Sequence, residues 1–133
     1  MKLFVCSYFL FLFIQFISLQ QSKPIEKSIA DGEEIYQDFC LQCHLGNGEG
    51  VSGIYPPLAN SDYLFDDIDR SIRNIKYGVS GPIIVNDKEY NAVMLNNGLD
   101  EEEVADVMNY ILNSWGNKSD EIITKERVAQ VSE

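Results

Sequence analysis

Three regimes of apolar and polar residues follow one another along this chain: an unbroken apolar run, stretches of helical periodicity, and a long middle with neither. Residues 3–19 are apolar on every face, so the run cannot be one side of an amphipathic helix. From Asp31-Gly32 the pattern turns helical. Ile35, Tyr36 and Phe39 share one side, Asp31 can cap the start, and Cys40 falls at the end. Residues 44–61 carry Gly46, Gly48, Gly50, Gly53, Pro56 and Pro57, which forbid regular structure. Ser61-Asp62 can cap a short helical turn. Residues 66–78 predict a helix with Ile68, Ile72 and Ile75 as its stripe, acids at its start, Lys76 near its end and Gly78 as its stop. Residues 82–94 predict a small hairpin or extended loop turning at Asn86-Asp87. The strongest helix spans 99–116. Asp100 caps it with Glu103 three residues on, Val104, Val107, Met108, Ile111 and Trp115 form its buried stripe, and Gly116 ends it. Residues 124–131 predict at most a short helix. The chain is thus helical at both ends, and roughly 40 residues of loop and weak hairpin lie between, a length that usually wraps something or is disordered.

The opening run changes the picture of the whole. Lys2, then apolar residues, then Gln20-Gln21-Ser22 follow the plan of a secretory signal. A buried core helix is the competing reading, but the run keeps no polar side to orient it. No small-x-small cleavage site is evident, so residues 1–22 are expected as a signal peptide or an N-terminal membrane anchor of marginal spanning length. Cys6 stands too near the start to be a lipidation site. Beyond this segment about 110 residues remain, enough for only a modest core, and chains of this size often lean on a metal or cofactor. The 133 residues hold 10 basic and 21 acidic side chains, a net charge of −11. Such a surface repels nucleic acid and anionic lipid headgroups. It favours a basic protein partner, or serves solubility alone.

Export leaves two cysteines, Cys40 and Cys43, in an oxidising compartment. There they form a disulfide, bind something, or are consumed covalently. Directly after them stands His44, the only histidine. Cys-x-x-Cys-His is the attachment pattern of c-type haem. At a helix end the three side chains can face one side. Each thiol can add to a haem vinyl group as a thioether, with the imidazole over the iron. Zinc normally wants four ligands, and two Cys and one His are one short. A thioredoxin-like dithiol belongs to a βαβ unit, whereas a helix precedes these cysteines. A plain disulfide would leave the adjacent His and the glycine-rich loop unexplained. One covalent haem c is therefore the expected cofactor.

The segment GEEIYQDFCLQCH resembles the class I cytochromes c, through Gly32, Tyr36, Cys40, Cys43 and His44. The similarity continues through PPLANSDYL (56–64), YGVSGPIIVNDKEYNAVM (77–94) and LDEEEVADVMNYILNSWGN (99–117). It is greatest to the small monohaem cytochromes that serve copper nitrite reductases, terminal oxidases and periplasmic dehydrogenases. The resemblance implies an all-α cytochrome c fold with a small β-hairpin, its N- and C-terminal helices crossing around the covalent haem. Gly32 and Tyr36 would then meet Val107 and Tyr110. The expected organisation is a polar linker at 23–30, a cytochrome c domain at 31–117, and a C-terminal extension with a short helix at 118–133.

For the second axial ligand the candidates are Met94, Met108 or a lysine. Met108 belongs to the buried stripe, Met94 lies in a loop free to turn inward, and the resemblance implies Met94. It also implies that the Pro56 carbonyl accepts from His44, with Pro57 as the alternative. Leu58, Tyr63, Ile72, Ile75, Ile84 and Val93 are expected as haem-wall or ordinary core residues. Arg73 and Tyr77 are candidates for a propionate, a solvated Arg73 being the simpler expectation. The family often places proline after the ligand methionine, whereas here Leu95-Asn96-Asn97-Gly98 follow. The expected function is an exported, periplasmic one-electron carrier, soluble or anchored, working with a redox partner that has a basic docking face. No residues are arranged as a nucleophile or an acid/base pair, so it is not expected to be an enzyme. The alternative is a five-coordinate haem protein that binds a gas or reduces peroxide.

Overall fold

A computed structural model describes residues 23–133, so the apolar segment 1–22 and Cys6 lie outside the described residues. The first helix, α1, spans Ile25–Phe39 and is N-capped by Pro24. It begins where the polar linker 23–30 was expected, and Asp31 lies inside it and does not cap it. The polar residues that disguise this start are partnered across the fold. Ser28 Oγ donates to Asp106 Oδ1 at 2.6 Å, and Lys23 Nζ donates to Asp106 Oδ2 at 2.6 Å. Lys23 also pairs with Asp31 at 2.6 Å, and Lys27 pairs with Asp31 one turn away. A buried carboxylate needs such partners, and Asp106 is only 4% exposed.

A one-turn helix α2, Leu41–His44, follows α1 directly. Helix α3, Asp62–Asp66, is capped by Ser61, whose hydroxyl accepts from Leu64 N. Helix α4, Ile68–Tyr77, is capped by Asp67 and stops at Gly78. Strands β1, Ile83–Val85, and β2, Lys88–Tyr90, form an antiparallel hairpin with Ile83 opposite Tyr90 and Val85 opposite Lys88. Asn86 and Asp87 turn it at φ 50° and 60°, the left-handed pair a two-residue turn requires. Helix α5, Glu101–Leu112, carries the full capping box of Asp100 and Glu103. It ends at Leu112, short of Gly116, because the backbone leaves helical geometry at the C-cap Asn113, whose φ is −125° and whose N–H turns back to Tyr110 O. Helix α6 spans Lys125–Gln130. None of the helices among the described residues is long and apolar enough to cross a membrane.

The core forms where α1 and α5 cross. A Cβ on Gly32 would stand 2.0 Å from Asp106 O and 2.9 Å from Tyr110 Cβ, so only glycine admits this approach. One turn on, buried Tyr36 packs between Tyr110 and Trp115, with ring centroids 5.4 and 4.9 Å away. Its hydroxyl donates to Leu45 O at 2.7 Å, tying the crossing to the residue after His44. Residues 118–133, expected as an extension, are part of this packing. Ile123, Val128 and Val131 are buried, and Asn109 both donates to Ile123 O and accepts from Ile123 N.

Candidate functional site

The site starts where α1 ends. Cys40 closes α1, its N–H bonded to Tyr36 O at 2.9 Å, and its own carbonyl accepts from Cys43 N and His44 N at 3.1 and 3.0 Å. Both thiols and the imidazole therefore hang from one turn of backbone, and all three border a single cavity of about 350 Å³. Both cysteines are free and half-buried. Burial, and then the neighbouring Cys43, push the Cys40 thiol up to about 11. Burial also holds His44 below the ordinary histidine range, against the opposing pull of its bond to Pro56. The imidazole is thus neutral at pH 7. Its Nδ1 lies 3.0 Å from Pro56 O. A carbonyl can only accept, so the proton sits on Nδ1 and the Nε2 lone pair is available to a metal.

The glycine-rich loop that carries Pro56 is ordered by its own backbone. Gly50 N donates to His44 O at 2.9 Å, Val51 and Tyr55 pair, and Leu58 N donates to Gly48 O at 2.7 Å. Leu58 packs on the core and lines the cavity. Met94 lines the same cavity and is half-buried. Its backbone pairs with Val79 in both directions at 2.9 Å, which holds the methionine's main chain although no proline follows it.

Of the expected wall residues, Tyr63, Ile75 and Val93 line the cavity along with Leu58. Ile72 does not, being fully buried in the core from its place on α4. Ile84 points to solvent at 64% exposure, because side chains alternate along β1 and the cavity takes Ile83 and Val85. Met108 is fully buried and also borders the cavity, so it is core and wall at once. Arg73 and Tyr77 are not at the cavity. Arg73 Nε donates to Ser132 O and the Tyr77 hydroxyl to Val131 O, so both grip the C-terminal tail. Sequence reasoning missed Val79, Asn74 and Tyr90 in the lining. Strict alternation across the Asn86-Asp87 turn would have found Tyr90; nothing local marks the other two.

This donor set fits haem c: two free thiols for two thioethers, a neutral imidazole with one nitrogen open, and largely apolar walls. The cytochrome c family model matches residues 29–115. The chain is 40% identical over 92 residues to cytochrome c-552 of Thermus thermophilus, covering 65% of this chain and 70% of that protein. To the cytochrome c subunit of the quinone alcohol dehydrogenase of Gluconobacter oxydans it is 32% identical over 91 residues, 66% of this chain but 19% of that subunit. The corresponding subunit of Gluconacetobacter polyoxogenes is 29% identical over 103 residues, 22% of its length. The protein belongs to the cytochrome c family, as a class I member with covalently bound haem c.

Proposed function

We propose that this cytochrome is exported and passes single electrons between redox proteins, with His44 and Met94 as its axial pair. The observation that carries the reading is that one cavity borders both thiols, a neutral imidazole with its Nδ1 tied to Pro56, and the Met94 thioether. Haem c bound there supplies a one-electron couple, and a Met/His pair raises its potential relative to two nitrogen ligands. The chain's own contribution is to fix and to exclude. Cys40 and Cys43 hold the group by covalent bonds, so it is not lost to solvent. The Pro56 carbonyl orients His44 and keeps Nε2 unprotonated. Leu58, Ile75, Val85 and Met108 keep water from the cavity walls. The Val79–Met94 pairing restrains the thioether's backbone.

The relatives support a carrier role. Two are named as cytochrome c-552, and others as cytochrome c subunits of a quinone alcohol dehydrogenase, so a redox enzyme is the class of partner. The net charge of −11 favours a basic docking face on that partner. The segment 1–22 supports export to the periplasm, with or without retention as an anchor.

The five-coordinate reading draws on the exposed run Leu95-Asn96-Asn97-Gly98, which lacks a proline after the methionine. Carbon monoxide separates the two. Reduced protein with Met94 in place binds it slowly; an open sixth position binds it within mixing, and that result would replace the carrier reading with the ligand-binding one.

A further inference from the structure

Helix α4 has two working faces. One, through Ser71, Asn74 and Ile75, borders the haem cavity. The other grips the C-terminal tail. Lys76 Nζ donates to Val128 O and Val131 O, both at 2.8 Å, the Tyr77 hydroxyl donates to Val131 O at 3.3 Å, and Arg73 Nε donates to Ser132 O at 3.0 Å. Buried Val128 and Val131 seat the tail beneath these donors. Val128 O accepts only the bond from the C-cap Val131 N at 3.2 Å, and Val131 O lies just past the end of α6, so an ammonium shared between these two carbonyls is a firm attachment.

The grip lies next to the ligand loop. Only Tyr77 and Gly78 separate Lys76 from Val79, the residue that pairs with Met94 in both directions. At Gly78 a Cβ would stand 2.7 Å from Met94 O, so the two backbones touch there. On its other side Met94 continues into exposed residues 95–98. The placement of the Met94 main chain thus depends on where the last turn of α4 stands.

We propose that the C-terminal tail is a strap that positions Met94, with Lys76 as the positioning residue that transmits its hold. The proposal rests on Met94 being the axial ligand. Releasing Lys76 frees the final turn of α4, lets Val79 and Met94 move together, and opens the sixth position of the iron more often.

Rapid mixing of the reduced holoprotein with carbon monoxide reads that opening. Lys76→Met removes both donated bonds at similar length and is expected to raise the association rate about tenfold. Lys76→Arg, which restores donors to the same carbonyls, should return the rate towards that of the unaltered protein. Lys23→Met serves as the control for general loosening. It removes the pairing of Lys23 with Asp106, Asp31 and Glu102, leaves Ser28 bonded to Asp106, and cuts none of the contacts that hold the tail to α4. It should lower the thermal midpoint and leave the rate unchanged. A Lys76→Met rate equal to that of the unaltered protein overturns the proposal. An equal rise in Lys23→Met does too, because the effect would then be global. Should Lys76→Met fail to fold, Tyr77→Phe takes its place with a smaller rise, and no rise there is equally fatal. Carbon monoxide binding within mixing by the unaltered protein is a separate result: it removes Met94 as ligand, and the strap's role with it.

Discussion

Single residues set the state of the site. His44 is neutral because it is buried, and its tautomer is fixed because a carbonyl faces Nδ1. Tyr36 links this site to the helix crossing: its ring joins the aromatic cluster and its hydroxyl donates to Leu45 O. Tyr36→Phe keeps the ring and deletes the bond. It should cost about 1 kcal/mol, seen as a fall of roughly 4 °C in the thermal midpoint. An unchanged midpoint would mean that Leu45 O is satisfied elsewhere. Much at this scale is legible without coordinates. Cys40, Cys43 and His44 are contiguous, so one turn of backbone fixes their relation. Arg73 and Tyr77 are the opposite case. Their partners, Ser132 and Val131, lie 59 and 54 residues away, and nothing nearby in the chain announces them.

Elements are legible where their signals are local. Ser61 caps α3, and Asp100 with Glu103 starts α5, because the capping side chain and the N–H it serves are three residues apart. The start of α1 is hidden for a physical reason. Lys23 and Ser28 look like solvent-facing linker residues, but they neutralise and bond Asp106 on α5. Ile84 faces solvent and not the expected wall, because the period-two alternation of a strand puts Ile83 and Val85 on the inner side. The α1–α5 crossing itself is readable from Gly32, since a missing side chain is what a close approach needs. Gly32→Val would drive Cβ into the backbone carbonyl of Asp106. Neither helix can shift without disturbing Tyr36, so the loss should be about 3 kcal/mol or more. A thermal melt with an unaltered midpoint would show that the helices do not meet there.

At the scale of the molecule, the 21 acidic residues outnumber the basic ones about two to one, and this charge is the feature a partner meets first. Electron transfer to a basic partner should slow about tenfold or more as salt rises from low ionic strength to well above physiological levels, where screening shortens to a few ångströms. A rate indifferent to salt would refute electrostatic steering.

The central claim is that His44 and Met94 meet one haem from the walls of one cavity. The sulfur-to-iron charge-transfer band of the oxidised holoprotein tests it most directly, comparing the unaltered chain with Met94→Ala. The account predicts the band in the former and its loss in the latter; a band that survives in Met94→Ala would place the ligand elsewhere.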